Sequence, residues 1–312
     1  MTTGTGSAVT VSVVVPCHND APTVVAAVRS ALAQSFPPAE VIVVDDGSTD
    51  GSAGLVEGAL GDRVRVISQA RLGPSAARNA GMDVATGSWT AFLDADDEWH
   101  PDKLRLQLDA VERRPGCVLA ACDWTRGRLD DVHPRSVRER RVTWDDLVVL
   151  NRFQTSTVVL SSEVARTIGG FDPSLDGSED WDMWVRVAAR GEIVKLDAPL
   201  VRYADNPEGV SKDLGRVYTS AMVVARREAD RLSRRRRPTV LAWHHLRFAV
   251  AAHLVGDREL RHRCVRDLAS SEVAVGVPTA TARYLAPFLA SRALSRVRRR
   301  PESRAGEPRA QA

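Results

Sequence analysis

Residues 11–52 read VSVVVPCHNDAPTVVAAVRSALAQSFPPAEVIVVDDGSTDGS. An apolar, β-branched run occupies Val11–Pro16, and a second run of the same kind occupies Val41–Asp45. Such runs are typical of strands that are covered on both faces of a parallel sheet. Between them, Ala21–Gln34 carries apolar residues at helical spacing. The stretch therefore predicts a strand, a helix and a second strand, which together form a β-α-β unit.

The same alternation of strands and helices continues to about residue 111. Further strands are predicted at Val64–Ile67 and Trp89–Leu93, and further helices from near Ser48, over Ser75–Val84 behind Pro74, and over Pro101–Val111. Proline is favoured at the first position of a helix, which supports the last two helix starts. The pattern predicts an α/β fold with a mostly parallel sheet flanked by helices.

Beyond residue 111 the pattern is less regular. It predicts strands at Val118–Cys122 and Thr157–Leu160, a charged loop over Arg126–Arg141, and helices over Trp181–Ala189, Tyr218–Leu232, Val240–Val255 and Thr281–Arg299, the last kinked at Pro287. The expected organisation is a disordered N-terminus (1–10), an α/β domain (11–215), a basic helical C-terminal extension (216–300) and a disordered tail (301–312).

Composition and charge narrow the class of protein. The 312 residues are 44% hydrophobic and 27% charged, which excludes a wholly disordered or fibrous chain. The net charge of +3 conceals an asymmetry, because residues 231–312 carry 18 arginines against 6 acidic residues, a net charge of +12. The first 230 residues then carry −9. Such a basic end either contacts an anionic surface or is simply solvated.

The sequence gives no sign of a membrane span or a disulfide framework. No run approaches the roughly 18 apolar residues that a spanning helix needs, and the first ten residues lack the pattern of a secretory signal. The four cysteines, at positions 17, 117, 122 and 264, contain no C-x-x-C pair. They are interpreted as reduced thiols, which favours a cytoplasmic protein.

Polar clusters follow the predicted strands at their carboxyl ends. They are CHND (17–20), DDGSTD (45–50), GPSAARN (73–79) and DADD (94–97). In an open α/β sheet, ligands bind outside the carboxyl ends of the strands, so these clusters should meet at one edge. No G-x-G-x-x-G or G-x-x-x-x-G-K-[ST] motif is present, which disfavours dinucleotide and P-loop sites.

The DADD cluster has two interpretations. Asp94 and Asp96 project to the same side of a strand end. Two facing carboxylates repel each other unless a cation lies beside them, and hard oxygen ligands suit Mg²⁺ or Mn²⁺ that also binds a diphosphate. The alternative is a solvated acidic turn in which Asp96 or Asp97 caps the next helix. Likewise, Asp46 either belongs to a turn or accepts hydrogen bonds from a base or ribose.

The segment TIGGFDPSLDGSEDWDMWVRVAAR (167–190) contains a second acidic pair. Glu179 and Asp180 open a helix, where the helix dipole favours acidic residues. Either both are ordinary helix-terminal acids, or one of them is a general base whose pKa is raised by burial or by its neighbour. Trp181 and Trp184 share one helical face, as core residues or as a ligand platform.

Taken in order, six motifs resemble those of a family 2 glycosyltransferase with the GT-A fold. They are VSVVVPCHND (11–20), VIVVDDGSTDGS (41–52), GPSAARNAG (73–81), FLDADDEW (92–99), IGGFD (168–172) and SEDWDMW (178–184). The resemblance covers roughly residues 11–211. It implies a nucleotide-diphosphate-sugar donor, with a UDP-sugar favoured, and a Mn²⁺ or Mg²⁺ cofactor.

The resemblance also implies roles for individual residues. On the donor side, it places Pro16, His18, Asn19 and Asp46 at the nucleobase, Arg78 near the nucleotide, Asp94 near the ribose and Asp96 on the metal, with Asp94 beside it. On the acceptor side, it makes Asp180 the general base, with Glu179, Trp181 and Trp184 beside it. Relatives often carry a metal-side His where Asn206 precedes Pro207 here. A loop over 204–212 that brings Lys212 or Arg202 to a phosphate is the expected substitute.

The implied activity is inverting, metal-dependent sugar transfer to a saccharide or lipid-linked saccharide, in cell-surface polysaccharide or glycoconjugate synthesis at the inner membrane face. Rival hypotheses are a sugar-nucleotide nucleotidyltransferase and a non-catalytic nucleotide-sugar-binding scaffold. Nucleic acid is not an expected partner, because no aromatic-interleaved basic stripe is present. The last helix either rests on anionic lipid or packs on the catalytic domain, through Tyr284, Leu285, Phe288 and Leu289 beside Arg283, Arg292 and Arg296.

Overall fold

The computed structural model describes residues 9–132, 134, 137–204 and 212–289. The chain divides into two compact units, Met1–Val224 and Ala225–Ala312. The division falls within helix α8 (Leu214–Ala229), whereas the sequence placed a boundary near residue 215. The expected metal-side position Asn206, the tail arginines Arg292 and Arg296 and the two terminal segments 1–8 and 301–312 lie outside the described residues.

The first unit is built on one mixed sheet. Its strands are β1 (Val11–Cys17), β2 (Glu40–Asp46), β3 (Arg65–Gln69), β4 (Trp89–Phe92), β5 (Glu98–Trp99), β6 (Cys117–Thr125), β7 (Glu139–Val142), β8 (Val158–Ser161) and β9 (Glu192–Arg202). The strand order is β3-β2-β1-β4-β8-β6-β9-β5, with β7 paired to β9. The pairings among β1 to β4 are parallel, as predicted. Beyond β4 most pairings are antiparallel, so the sheet is mixed rather than mostly parallel.

Helices cover this sheet. They are α1 (Val24–Leu32), α2 (Ser52–Leu60), α3 (Pro74–Val84), α4 (Lys103–Glu112), α5 (Trp144–Val149), α6 (Ser162–Thr167) and α7 (Glu179–Val187). Strand β1 is buried along its whole length, which explains its almost continuous apolar sequence. Helix α3 lies so close to β1 that a Cβ on Gly81 would stand 2.3 Å from Val14 Cγ1. The expected α/β fold is therefore confirmed.

Several elements differ from the sequence prediction. The loop expected over Arg126–Arg141 contains the start of β7, and the eleven-residue strand β9 was not predicted. Strand β9 reads EIVKLDAPLVR, in which Lys195, Asp197 and Pro199 interrupt the apolar pattern. Its charged side chains form ion pairs, Lys195 with Asp123 and Asp197 with Arg140, so a strand with a polar face is stable here.

The second unit contains helices only, among its described residues. They are α9 (Arg236–Val255), α10 (Arg258–Leu268), α11 (Ser271–Ala274) and α12 (Val277–Ala280), followed by a π-helical turn over Thr281–Leu285. Helix α9 buries Leu241 and Trp243, and Leu260 and Cys264 of α10 are buried as well. Within the described part of the chain, no helix is long and apolar enough to cross a membrane.

Candidate active site

A pocket of about 660 Å³ opens at the carboxyl edge of the sheet in the first unit. Its walls come from segments that follow β1, β2, β4 and β9 and from the start of α7, as expected for an α/β sheet. The residues used below that line it are Pro16, Cys17, His18, Asp20, Asp46, Arg71, Arg78, Asp94, Asp96, Gln154, Thr155, Asp176, Glu179, Asp180, Tyr203 and Arg216. Most of the residues expected at a donor site therefore meet in one place.

The segment after β1 contributes Pro16 and His18. The Nδ1 atom of His18 lies 2.8 Å from the backbone carbonyl oxygen of Asp46, which ties this segment to the end of β2. Asn19, in contrast, does not line the pocket. Its backbone has φ +58°, and its Oδ1 accepts a hydrogen bond of 2.8 Å from the Thr49 amide. The Asn19 side chain therefore closes a turn beside the pocket, and its contact with a nucleobase stays a prediction.

Asp46 is buried and holds the chain between β3 and α3. Its Oδ1 accepts hydrogen bonds from Gln69 Nε2 at 2.7 Å and from the Leu72 amide at 2.8 Å. Its Oδ2 accepts one from the Gly73 amide at 2.8 Å. A carboxylate oxygen has two lone pairs, so Oδ1 is fully used and Oδ2 retains one acceptor position. Asp46 therefore has room for a single ligand donor.

Arg78 stands at the centre of the pocket's acidic groups. It donates to Asp94 Oδ1 at 2.8 Å and to Glu179 Oε1 at 3.1 Å, and its side chain is only 6% exposed. Burial alone would lower the pKa of Arg78, but the two carboxylates outweigh it and raise that pKa further above its ordinary value. Because α3, the segment after β4 and α7 all meet at this guanidinium, Arg78 fixes their spacing.

Asp94 and Asp96 both face the pocket, as the D-x-D pattern predicted. Burial, followed by the repulsion from Asp94 and Asp20, raises the pKa of Asp96 to about 6. A carboxylate that is costly to ionise in this way is relieved by a cation. Among the described residues, no group of three His, Cys, Asp or Glu side chains forms a complete metal cage. The two carboxylates fit Mg²⁺ or Mn²⁺ whose remaining ligands are phosphate oxygens and water.

The Asp97 carboxylate accepts two hydrogen bonds that link separate segments, a role that the sequence did not predict. It does not cap the next helix, which begins at Lys103. Its Oδ2 accepts a hydrogen bond from Ser156 Oγ at 2.5 Å, and its Oδ1 accepts one from the Ala204 amide at 2.9 Å. Ser156 Oγ also accepts from the Asp94 amide at 3.0 Å. Burial raises the pKa of Asp97 to about 8.

Glu179 and Asp180 begin helix α7 and both line the pocket. Asp180 Oδ2 accepts a hydrogen bond from Asn151 Nδ2 at 2.8 Å. Burial, and then the charge of Glu179, raises the pKa of Asp180 to about 7. Glu179 is held by Arg78 and by the Gly177 amide, at 2.9 Å from its Oε2. The two acids therefore differ, since Glu179 forms an ion pair with Arg78, whereas Asp180 can gain or lose a proton near neutral pH.

Trp181 and Trp184 are core residues, which corrects their assignment to the acceptor side. Neither lines the pocket, and they are 2% and 0% exposed. The Trp181 indole donates a hydrogen bond of 2.6 Å to the Leu147 carbonyl oxygen. The Trp184 ring packs against Phe92 and Phe171. Their spacing on α7 points them at the hydrophobic core because Asp180 occupies the pocket side.

The structure adds residues to the pocket that sequence reasoning missed. They are Arg71, Gln154, Thr155, Asp176, Tyr203 and Arg216. Of these, Arg216 pairs with Asp176 at 2.9 Å. Arg202, expected on a phosphate, pairs with Glu98 and does not line the pocket, and Lys212 does not line it either. Tyr203 directly follows an unpredicted strand, so no local signal pointed to it.

Known proteins resemble the chain in sequence. A model of "Glycosyl transferase family 2" matches residues 12–162. The amylovoran biosynthesis glycosyltransferase AmsB of Erwinia amylovora is 34% identical over 208 residues, which cover 62% of this chain and 68% of that protein. The succinoglycan biosynthesis protein ExoO of Rhizobium meliloti is 38% identical over 49% of this chain. That alignment spans 44% of the length of ExoO, which is less than half.

Solved structures resemble the chain in fold. S. aureus TarS in complex with UDP-GlcNAc has a TM-score of 0.61 at 20% identity, over 77% of this chain and 73% of that one. The mannosyltransferase PcManGT of Pyrobaculum calidifontis, in complex with GDP-Man and Mn²⁺, has a TM-score of 0.58 at 18% identity. That likeness covers 94% of this chain and 88% of the other. At these identities the likeness establishes a shared fold.

Proposed function

The chain belongs to glycosyltransferase family 2 and has the GT-A fold, and from this premise we propose an inverting, metal-dependent sugar transfer. The donor is a nucleotide-diphosphate sugar, and the acceptor is a hydroxyl group of a saccharide or a lipid-linked saccharide. The product is a cell-surface polysaccharide or glycoconjugate. The names of the relatives that make amylovoran and succinoglycan support this product class.

One observation carries the proposal. Asp180, whose pKa is raised to about 7, lines the same pocket as the Asp94 and Asp96 pair. A base with a pKa near the working pH is well suited to take the proton from an acceptor hydroxyl as its oxygen attacks the anomeric carbon. Attack from the face opposite the leaving diphosphate inverts the anomeric configuration without a covalent intermediate. The pocket's thiol fits this scheme, because burial raises the pKa of Cys17 to about 12 and keeps it protonated.

Asp96, with Asp94 beside it, would hold the metal. When bound there, Mn²⁺ or Mg²⁺ supplies Lewis-acid stabilisation of the charge on the departing diphosphate. The chain's own contribution is to hold Asp94, and with it the turn that carries Asp96, in place. The Arg78 guanidinium donates a hydrogen bond to Asp94. The Ser156 hydroxyl accepts a hydrogen bond from the Asp94 amide and donates one to Asp97. A site fixed in advance lowers the barrier by orienting the reactants.

The nucleotide side of the pocket is the end formed by Pro16, His18 and Asp46. The one remaining acceptor position on Asp46 Oδ2 suits a single N–H of a nucleobase. UDP is the favoured nucleotide, and GDP remains a candidate. TarS was solved with UDP-GlcNAc and PcManGT with GDP-Man, so this fold accommodates both kinds of donor in those proteins.

Two rival functions are less well supported. A nucleotidyltransferase usually grips its triphosphate with a glycine-rich loop that carries Lys or Arg directly after the first strand, and here that place reads CHNDAPT. A non-catalytic scaffold has no need for a base, yet Asp180 is kept in a costly buried position on the pocket. We also propose a cytoplasmic location at the inner membrane face, supported by the basic C-terminal region.

Ligand-induced thermal stabilisation tests the proposal. Nucleoside diphosphates and nucleotide sugars are added with and without Mn²⁺. Those that carry one particular nucleobase should raise the unfolding temperature in a metal-dependent way. A ligand present at a hundredfold excess over its Kd should raise the free energy of unfolding by about 2.7 kcal/mol. Asp96→Ala should abolish the metal-dependent part. Asp83→Ala, which changes an exposed aspartate on α3, is the control and should keep it. No stabilisation by any nucleotide would overturn the proposal.

A further inference from the structure

A large aromatic side chain stands exposed beside the pocket. Trp124, near the end of β6, is 36% exposed. The centroid of its ring lies 5.2 Å from that of Tyr203, with the ring planes tilted by 51°. The guanidinium of Arg126 lies 5.3 Å from the centre of the Trp124 ring. Trp124, Tyr203 and Arg126 are called the aromatic platform below. Exposed aromatic surface next to a pocket is a place where a ligand can bury apolar groups.

The platform is held in place by the backbone. Strands β6 and β9 are parallel neighbours, and Trp124 pairs with Val201 in their register. The Tyr203 amide donates a hydrogen bond of 2.8 Å to the Thr125 carbonyl oxygen. The next amide, that of Ala204, donates to Asp97 Oδ1. Tyr203 is thus fixed from both sides, and a ligand that binds a fixed surface loses less free energy to ordering it.

The platform continues the pocket that contains the carboxylates. Tyr203 lines that pocket together with Asp96 and Asp180. Gln154 lines it as well, and its side-chain amide makes no hydrogen bond to any residue that the structure describes. Gln154 precedes β8, which lies between β4 and β6 in the sheet. A polar group therefore stands between the D-x-D carboxylates and the platform.

The strand order separates the platform from the nucleotide side. Tyr203 follows β9 and Asp46 ends β2, and these strands are five positions apart in the sheet. At about 4.8 Å per strand, that is about 24 Å along the sheet. Asp94 follows β4, which lies between them. A donor whose base is at Asp46 and whose diphosphate is at Asp94 and Asp96 thus leaves the platform for the other substrate.

We propose that the aromatic platform binds a pyranose ring of the acceptor saccharide. One face of such a ring is lined by C–H groups and stacks on aromatic rings, whereas its hydroxyls point outward to hydrogen-bonding groups. Trp124 and Tyr203 supply the stacking surface, and Gln154 and Arg126 supply polar groups at its rim. This inference rests on the proposed function, because it assigns the acceptor side of the same pocket.

Saturation-transfer difference NMR on the full chain tests the platform directly. The probes are cellobiose, chitobiose, maltose and α-1,2-mannobiose at millimolar concentration, in the presence of Mn²⁺ and the nucleoside diphosphate that stabilises the protein most. At least one disaccharide should receive saturation at its ring C–H protons. Trp124→Ala should weaken that disaccharide's Kd by about tenfold, the loss expected from one aromatic contact. Trp124→Phe, which keeps a stacking ring, should restore most of the affinity.

Two control measurements distinguish a failure of the platform proposal from a failure of the proposed function. Trp144→Ala removes a tryptophan that does not line the pocket, so it should leave disaccharide binding unchanged. Nucleotide-induced stabilisation should be the same in Trp124→Ala as in the unaltered protein. If it falls, the platform binds the donor and the inference is wrong. If nucleotides bind but no disaccharide does, or if Trp124→Ala binds equally well, the platform is refuted while the donor site stands. If no nucleotide stabilises the unaltered protein, the proposed function fails on its own evidence.

Discussion

Asp180, the proposed base, is a buried carboxylate whose ionisation also affects the stability of the fold. Its pKa is raised to about 7, mainly by burial, so the folded protein binds a proton there more tightly than the unfolded chain does. Between the ordinary aspartate value of 3.8 and about 7, stability contributed by this group is lost as the pH rises. Above pH 7 the Asp180 carboxylate is ionised, and the full cost of burying its charge lowers the stability of the folded protein. The proposed base therefore lowers the stability of the folded protein above pH 7.

For Asp180→Asn we predict a loss of activity and a change in stability that depends on pH. Loss of the base should lower sugar transfer by about 10²–10⁴-fold. The neutral amide removes the cost of the buried charge, so the stability of the variant relative to the parent should rise as the pH increases from 4 to 8, on top of a constant loss from the N–H₂ group that faces Asn151 or the Trp181 amide. Thermal unfolding of both proteins across pH 4–9 measures this, beside a transfer assay. A stability difference between the two proteins that stays constant from pH 4 to pH 8 would contradict the raised pKa.

The same residue predicts the pH dependence of the reaction. Because only the ionised carboxylate can accept a proton, transfer at saturating substrate should rise with pH and level off above about pH 7. Nucleotide stabilisation measured over the same range separates this effect from changes in donor binding. A transfer rate that is flat from pH 5 to pH 8 would exclude Asp180 as the base.

Asp46 is predicted to matter for folding as well as for binding. Asn at this position places an N–H₂ group against donors that Asp46 now satisfies, from Gln69, Leu72 and Gly73. Asp46→Asn should therefore cost about 2–3 kcal/mol of unfolding free energy. Asp45→Asn is the matched control, since Asp45 accepts one long bond of 3.3 Å from the Ser48 amide. Denaturant titration of both variants checks this, and equal stabilities would contradict it.

At the scale of elements, the close approach of α3 to the sheet positions Arg78. Gly81 faces β1 and β2, and a Cβ there would lie 2.3 Å from Val14 Cγ1 and 3.2 Å from Val44 Cγ2. The position needs glycine for lack of space, although alanine has the higher helix propensity. Any side chain at this position would push α3, and Arg78 with it, away from Asp94.

Two glycine substitutions on neighbouring helices should act in opposite directions. Gly81→Ala should destabilise the protein by about 1–3 kcal/mol because the methyl group overpacks the core. Gly58→Ala on α2 meets nothing within 4 Å and should stabilise by about 0.5–1 kcal/mol. Urea unfolding of both variants measures the difference. If Gly81→Ala were also stabilising, the helix could not be packed this closely on the sheet.

Helices and strands were predictable where their local sequence pattern matches their burial in the fold. Pro74 starts α3 as expected, and β1 lies where its valine run placed it. Strand β9 was missed because its pairing with β6, β7 and β5 compensates for Lys195, Asp197 and Pro199. Asp46, Asp94 and Asp96 were found because they follow predicted strands, and Glu179 and Asp180 because they open a predicted helix. Tyr203 and Gln154 reach the pocket only through long-range pairing, which no local pattern reports.

At the scale of the whole chain, charge is distributed unevenly, with −9 in the first 230 residues and +12 in the rest. We predict that the full chain floats with vesicles containing anionic phospholipid and not with purely neutral vesicles. Because the Debye length shortens with salt, binding should be lost at about 0.5 M ionic strength. Arg258 and Arg266 are exposed on α10, so Arg258→Glu/Arg266→Glu should weaken flotation.

A charge-matched variant controls for the change in net charge alone. Arg63 and Arg65 are exposed in the first unit, and Arg63→Glu/Arg65→Glu should float as the unaltered protein does. Equal losses in the two variants would indicate a general charge effect rather than a basic contact surface. The absence of flotation at low salt would refute the membrane contact and leave the basic region as a solvated one.

All four cysteines are buried, including Cys17 on the pocket wall. Burial raises the pKa of Cys17 to about 12 and that of Cys122 to about 11, so neither presents a thiolate at neutral pH. The folded enzyme should consequently resist maleimide and iodoacetamide without any cysteine being removed. A cysteine introduced at Leu72, which is 64% exposed and lies in the segment that Asp46 holds, would then be the sole reactive thiol. A fluorophore attached there would report occupation of the donor site on the otherwise native chain.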